Sequence, residues 1–305
     1  MKKIIIAAAN GFMGRYIARY FHSKGWEVVG LARRQEGLDK NCRYVEWDGK
    51  KLGSWAAELD HADVVINLAG RTVNCRYNEV NKAEIFSSRL DSTAVVGDAI
   101  AQCKNPPRLW MNASTSTIYR HAEDKPQSEE GEIGKGFSVE VAKAWEKQFY
   151  DTAVPDSVRK VALRTSMVMA NEPGTVFQYL FNLAKYGLGG KIASGKQRIS
   201  WVHVDDLCRA LDFIIENEQI KNHVNITAPN PITNEETMKR FRNAAGCPFG
   251  LPAAKWMAEI GAFVLRTETE LIFKSRWVVP TLLETEGFVF KYTELNPKEW
   301  LESSV

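Results

Sequence analysis

The residues best suited to chemistry begin near the N-terminus, where Ala8-Ala9-Asn10-Gly11-Phe12-Met13-Gly14 lies between an apolar run and a helical pattern. A glycine-rich turn at such a junction can cradle a pyrophosphate, because backbone N–H groups at a helix start point at the anion and glycine lets the chain approach closely. Asn10, Gly11, Phe12 and Met13 are therefore the first expected cofactor contacts. The spacing is Gly-x-x-Gly-x-x-Gly with alanine at the first position, and Ala8 is expected to hold a negative φ, which keeps the turn with a slightly bulkier rim. The second apolar run ends in Gly30-Leu31-Ala32-Arg33-Arg34. A carboxylate there would bond the ribose 2′-hydroxyl of NAD, whereas guanidiniums suit the 2′-phosphate of NADP through paired, charge-assisted hydrogen bonds. Arg33 and Arg34 favour NADP(H).

Other residues carry a less specific signal. Arg89 can bind an anionic or carbonyl oxygen, or pair on a helix surface with Glu84 or Asp91. His203-Val204-Asp205-Asp206 has the residue types of a metal site or a triad, but it reads better as structure, with Asp205 capping a helix that begins at Asp206. Trp110 and Trp201 read as core, Trp201 being the one that can face a cleft. No metal site is expected.

These groups need a scaffold. Residues 3–9 read as a buried strand, and Phe12, Met13, Tyr16, Ile17, Tyr20 and Phe21 recur with helical spacing up to Gly25. Further strands are expected at 27–32, 44–47, 63–69, 108–114 and 160–169, with helices at 90–103 and 138–150. The alternation implies an α/β fold, a Rossmann-type doubly wound parallel sheet. After residue 170 the pattern becomes irregular, with a helix at 176–186, a glycine-rich turn at 187–190, the stretch 199–204, a helix at 207–216, a strand-like 223–227, and mixed helices to the end. The expected division is an NADP-binding domain over 1–170 and a smaller α/β cap over 171–305 for substrate, from which a strand or helix can return to the sheet.

Composition narrows the function classes. The 305 residues are 45% hydrophobic and 25% charged, an ordinary globular balance that excludes a disordered or fibrous chain. The net charge of +3 comes from 40 basic and 37 acidic residues without a basic block, so nucleic acid is not an expected partner. No apolar run reaches the roughly 18 residues of a membrane span, and the glycines of MKKIIIAAANGFMG argue against a signal peptide. Five scattered cysteines without a Cys-x-x-Cys pair read as reduced thiols of a cytoplasmic protein.

VINLAG (65–70), SRLDST (88–93), SWVHVDDL (200–207), VNITAPNPITNEE (224–236) and LETEGFVFKY (283–292), together with the glycine turn, resemble the extended short-chain dehydrogenases/reductases. The similarity is to the "epimerase family" subgroup, related to NAD-dependent epimerases/dehydratases that act on nucleotide sugars; some members have carried a cell-division-inhibitor label. The resemblance implies that Asp48 accepts from the adenine amino group, that Leu68, Ala69 and Gly70 line the cofactor's ribose, and that Thr165 joins the cofactor contacts. It also implies a Ser/Thr, Tyr and Lys catalytic set, the tyrosine exchanging a proton at the substrate oxygen. Lys143 aligns with the lysine, but Val139 then stands where the tyrosine belongs. The only Tyr-x-x-x-Lys spacing, Tyr20 to Lys24, lies in the first helix and is coincidental. Ser114 and Thr115 both fit the hydroxyl position, and Tyr119 follows closely. The diphosphate-binding arginine of nucleotide-sugar relatives is displaced to Arg198, which with Arg89 and Trp201 completes the expected substrate contacts.

Two functions stay open: an NADP(H)-dependent oxidoreductase or epimerase whose proton is handled by Thr115, Ser114, Lys143 or Tyr119, acting on an unidentified small molecule, and a non-catalytic NADP(H) sensor. A scaffold without nucleotide is the third and weakest. In relatives, helices equivalent to 90–103 and 138–150 pair subunits, so monomer and homodimer are both expected states.

Overall fold

The computed structural model describes residues 1–257, 259 and 268–302. Its centre is a seven-stranded sheet in the order β10-β6-β5-β4-β1-β2-β3, every neighbouring pair parallel. The strands are β1 (Lys3–Ala7), β2 (Glu27–Ala32), β3 (Arg43–Glu46), β4 (Val64–Asn67), β5 (Leu109–Thr115), β6 (Arg159–Thr165) and β10 (Asn222–Ile226). The order runs outward in both directions from β1 and β4, the arrangement of a doubly wound Rossmann fold, whose ligands lie beyond the carboxyl ends of those two strands.

The KIIIA run of β1 is apolar throughout because both faces of the sheet are covered. Ile4 and Ile6 pack on one side with Phe21 of α1 (Phe12–Ser23) and Leu211 and Ile215 of α5 (Val204–Glu216). Ile5 and Ala7 face the other side, with Val95, Val96 and Ile100 of α2 (Glu79–Ala101) and Phe149 of α3 (Phe137–Asp151). The helix expected at 90–103 is therefore only the second half of α2, which starts at an Asn78 cap whose side chain accepts the Asn81 amide at 2.8 Å. The early turns of α2 are polar and lack the apolar rhythm that marks its buried part.

The strand expected over 160–169 breaks after Thr165. Its continuation, β7 (Met167–Met169), leaves the main sheet and pairs with β9 (Trp201–His203). There a third cluster gathers Met169, Phe177, Trp201, Phe241 and Trp300, formed with α4 (Val176–Lys185), α6 (Asn234–Ala245) and α9 (Pro297–Glu302). A second small ladder joins β8 (Arg198–Ile199) to β11 (Ile232–Thr233). Two short helices, α7 (Glu270–Phe273) and α8 (Thr281–Thr285), complete the described elements used below. The main sheet draws on chain past residue 170, since β10 lies beside β6 and α5 packs on α1.

The cap of α5 differs from the expected one. His203 sits at the N-cap, its Nδ1 accepting the Asp205 amide at 3.2 Å, while Asp205 and Asp206 occupy the first turn, where carboxylates suit the helix dipole. Asp206 is fully buried and accepts the amides of Lys291 and Tyr292 at 3.0 and 2.7 Å, pinning the late segment to the helix. His203 stacks on Tyr292 with ring centroids 3.9 Å apart, and burial lowers the pKa of its imidazole.

Between β5, β6 and α3 lies a buried ion pair. The Arg164 guanidinium donates from Nε and Nη2 to the two Glu146 carboxylate oxygens, each at 2.8 Å, and both residues are nearly inaccessible. Arg164→Met leaves a buried carboxylate without its cation, and the unfolding free energy from urea titration is expected to fall by about 3–5 kcal/mol; a loss under about 1 kcal/mol would show that the pair does not hold these elements together.

Candidate active site

β1 delivers the chain to Ala8, whose φ is +60°. The sequence-based expectation of a negative φ at this position is thus corrected: the turn needs the left-handed conformation, and alanine adopts it against steric preference. The Ala8 amide donates to the Leu31 carbonyl at 2.8 Å and the Ala8 carbonyl accepts from Gly11 at 3.1 Å, so the strained residue is held from both sides. Gly11 caps α1 in extended conformation without a side-chain hydrogen bond, which keeps side chains away from the first amides of the helix. Gly14 explains the spacing, for a Cβ there would lie 2.5 Å from the Ala9 carbonyl oxygen. Phe12 and Met13 contribute backbone to this turn while Phe12 meets Tyr16 edge-on and Met13 packs on the core.

Beside the turn opens a cleft of about 640 Å³ whose lining includes Asn10, Arg33, Asp48, Ala69 and Gly70. Five of the sequence-selected residues are brought together here. Arg33 is exposed toward it, while Arg34 extends over the surface, 3.7 Å from Glu36. Asp48 accepts the amides of Lys50 and Lys51 at 2.8 and 3.0 Å, so it shapes the rim and its carboxyl is held below the usual range by those bonds. The end of β4 is set by Asn67, fully buried, which donates to Asn112 at 2.8 Å and accepts the Ala69 amide at 3.0 Å. Leu68, Ala69 and Gly70 are thereby presented along the strand end. Sequence reasoning missed Arg71 of the same lining, which pairs with Glu84.

The hydroxyl-rich end of β5 divides. Ser114 donates to Glu146 at 2.6 Å, and Tyr119, almost wholly buried, donates to Asn225 at 2.8 Å while accepting from Arg164 at 2.9 Å. Burial pushes the Tyr119 phenol up to about 12. Both side chains are spent on structure, which corrects their assignment as candidate proton carriers. Lys143 is exposed and pairs with Glu140 at 3.2 Å, and Val139 is fully buried, so neither contributes a proton group near β5. Trp201 is likewise in the core, its centroid 5.4 Å from Trp300, which corrects the expectation of substrate contact. Arg198 stacks 4.4 Å over Trp277 and donates to the Pro231 carbonyl.

Thr115 remains accessible, its Oγ1 accepting the Thr117 amide at 3.2 Å, with Thr165 beside it in register on β6. At Thr117, and at the start of α3, the structure brings in groups that no local spacing reveals. Lys274 Nζ donates to the Thr117 carbonyl at 2.6 Å, and Arg276 Nε donates to Thr117 Oγ1 at 3.0 Å. Burial, and then Arg276, draw the Lys274 ammonium down to about 8. Tyr77, in the loop before α2, reaches Ser138 in the first turn of α3, with Oη 3.4 Å from Oγ, and its ring lies 4.5 Å from that of Phe137. Its amide donates to Glu268 at 2.8 Å. Burial, with Glu270 among the lesser causes, raises the Tyr77 phenol above its ordinary value. Arg89 donates to the Ile85 carbonyl at 3.0 Å, lies 4.9 Å over the Trp145 ring and against Gly70, and burial draws it down to about 10. The expected pairing with Glu84 or Asp91 is not its role, since Glu84 is engaged by Arg71.

A parallel sheet with a dinucleotide-type turn at β1–α1, an open cleft at the switch between β1 and β4, and polar groups gathered over the neighbouring strand end define a nucleotide-dependent short-chain dehydrogenase/reductase fold. The profile of the NAD dependent epimerase/dehydratase family matches residues 4–227, and the chain belongs to that family. It is 31% identical over 298 residues to the epimerase family protein YfhF of Bacillus subtilis, covering 96% of this chain and 95% of that one. Among solved structures it resembles the human epimerase family protein SDR39U1 (isoform 2), crystallised with NADPH, at a TM-score of 0.85 and 26% identity over 98% of this chain and 99% of that one. A nucleoside-diphosphate sugar epimerase of Corynebacterium glutamicum aligns at 0.76 and 27% identity, over 96% of this chain and 56% of that one. Family membership supplies NAD(P) as the cofactor class. Among the described residues no helix is long and apolar enough to cross a membrane, and no group of three or more His, Cys, Asp or Glu is placed to hold a metal.

The strain at Ala8 is testable. Left-handed alanine costs about 1–2 kcal/mol, part of which glycine would return as backbone entropy, so Ala8→Gly is expected to stabilise the protein by about 0.5–1 kcal/mol with dinucleotide binding retained. Thermal unfolding of the two forms decides it, and a lower midpoint for the glycine variant would contradict the strained turn.

Proposed function

We propose that the protein is an NADP(H)-dependent reductase of small carbonyl compounds, with Arg33 and Arg34 selecting the 2′-phosphate and Tyr77 donating the proton. The observation that carries the cofactor choice is the cleft itself: Arg33 lines it at the end of β2, and the side chain that follows Ala32 is a cation where an NAD site uses a carboxylate. The turn fits a pyrophosphate, since Gly11 and Gly14 keep Cβ atoms out of the approach. The similarity to a human relative crystallised with NADPH supports the same choice. When bound, the nicotinamide supplies hydride. This chain's own residues then have to hold the carbonyl and supply a proton to its oxygen.

Tyr77 suits the second task. Its phenol is protonated at neutral pH, as an ordinary phenol is, burial raising its pKa further, and it stands at Ser138, next to the helix position where Val139 replaces the usual tyrosine. Thr115 is the accessible hydroxyl that can orient the carbonyl. Residues 1–170 would hold the nucleotide, and residues 171–305 would close over the substrate with Lys274 and Arg276. The five cysteines are free, as a reducing cytoplasm would keep them. The non-catalytic sensor is the second reading, favoured by the burial of Val139 and the outward Lys143.

Nicotinamide fluorescence should show NADPH binding more tightly than NADH, with Arg33→Ser weakening NADPH about tenfold and NADH hardly at all. Equal affinity for both would remove the 2′-phosphate reading. Across a panel of aldehydes, ketones and quinones, Tyr77→Phe should lower kcat by about a hundredfold at unchanged NADPH affinity; bound NADPH with no turnover on any of them would favour the sensor.

A further inference from the structure

Five charged side chains line the nucleotide cleft: Arg33, Asp48, Lys50, Arg71 and Glu84. Two of them neutralise each other, since the Arg71 guanidinium pairs with the Glu84 carboxylate, and Arg71 is held further by Asn81 Oδ1 at 2.8 Å. Asp48 is turned onto its own loop, its Oδ1 accepting the Lys50 and Lys51 amides at 2.8 and 3.0 Å. Arg33 and Lys50 are left. Among the described residues neither of these two side chains makes a hydrogen bond or an ion pair, and both are exposed to the cleft they line.

The two free cations reach the cleft from neighbouring strand ends. β2 and β3 run parallel with Ala32 opposite Glu46, and the Trp47 amide donates to the Ala32 carbonyl at 2.9 Å. Arg33 therefore leaves β2 beside the place where the chain of Lys50 leaves β3. That chain is held in a shaped turn: Gly49 takes φ +79°, which a side chain would resist, and the Asp48 bonds close the turn next to the Trp47 ring. Across the sheet the glycine turn stands at the end of β1, with β2 and then β3 beyond it. The residue at the end of β2 is the one that meets the ribose 2′ position in a Rossmann site. The turn of Lys50 borders that position on the side away from β1.

We propose that Lys50 is the second half of a cation clamp for the 2′-phosphate of NADP(H), closing from the β3 side while Arg33 binds from the β2 side. The role of Lys50 rests on the NADP(H) reading above and adds to it a contact from outside the β2 end. A phosphate monoester near neutral pH carries between one and two negative charges, which two unpaired cations match. The guanidinium supplies paired, directed donors, and the ammonium a point charge on a flexible stem that can follow the phosphate. NAD(H) has a neutral hydroxyl at that position, so it would leave the two cations without an anion between them. Arg34 lies 3.7 Å from Glu36 on the surface and adds its field to the clamp without a contact.

The test uses the full chain and reads binding, not turnover. NADPH and NADH are titrated by nicotinamide fluorescence, and adenosine 2′,5′-bisphosphate and 5′-AMP are titrated as competitors of bound NADPH. Lys50→Gln should weaken NADPH and the bisphosphate about tenfold and leave NADH and 5′-AMP within about twofold. Lys51→Gln, in the same turn but outside the cleft lining, should change none of them. Arg33→Ser combined with Lys50→Gln should bring the two dinucleotides to equal affinity. A measurement on the unsubstituted protein reads the same contact. Acetylation of Lys50 by N-acetoxysuccinimide, followed by peptide mass spectrometry, should be slowed severalfold by saturating NADPH and not by saturating NADH, with Lys51 unaffected by either. An NADPH preference that Arg33→Ser abolishes and Lys50→Gln leaves intact, or equal protection of Lys50 by both dinucleotides, would overturn the clamp and keep the NADP(H) reading. Equal binding of NADPH and NADH by the unsubstituted protein would overturn both.

Discussion

Arg164 and Glu146 meet where water does not reach, guanidinium fork on carboxylate, with both contacts at 2.8 Å. Taking such a pair out of water is unfavourable unless the remaining donors and acceptors are also satisfied, and here they are. Ser114 of β5 donates to the carboxylate, and Arg164 Nη1 donates to Tyr119, which donates in turn to Asn225 of β10. Five elements are tied at one point: β5, β6, β10, α3 and the turn after β5. α3 is therefore held against β5 and β6 through its third turn, and its first turn carries Ser138, which meets a phenol from the loop before α2.

The same network decides which polar groups are left for chemistry. Ser114 and Tyr119 have the residue types of a proton relay, yet both are committed to neutralising and solvating a buried charge pair, and moving a proton through them would unbalance it. Thr115, one residue along, points the other way from the strand and keeps its hydroxyl available. Alternation along β5 thus separates a structural hydroxyl from a usable one.

How much of this can be read from the chain depends on how local each feature is. The β1 run, the glycine turn and the basic end of β2 lie within residues 3–34, and contiguous residues of a βαβ unit meet in space by chain geometry alone, so the nucleotide cleft was legible down to Arg33. Its one error, the sign of φ at Ala8, arises because alanine statistically avoids the left-handed region, a preference that the Leu31 and Gly11 hydrogen bonds override. The early turns of α2 were missed because they are held by capping and polar contacts rather than by an apolar stripe. The cap of α5 lies two residues earlier than expected, at His203 rather than Asp205, since histidine is a less common cap than aspartate. On the substrate side only single candidates such as Thr115 were legible, not the groups that gather near them. Tyr77, Thr117 and the pair Lys274 and Arg276 are separated by 40 to about 200 positions in the sequence, and neither periodicity nor spacing can indicate that they share a site.

The placement of Tyr77 bears on why α3 can do without its tyrosine. A residue on the first turn of that helix must choose between facing the core and facing the strand end, and Val139 is fully buried, filling space against the sheet. A phenol at that position would have to leave the core or drag water into it. Carrying the phenol on the loop before α2 avoids the conflict, because the ring can pack at a tilt against Phe137 and present its hydroxyl to Ser138. The cost is mobility, since a loop residue is held less firmly than a helical one. It is met by two anchors: the Tyr77 amide on Glu268 and the Asn78 cap of α2 one residue later. A donor held at both neighbouring backbone positions is oriented nearly as well as one on a helix, and it leaves α3 free to serve as the rigid partner of the buried ion pair.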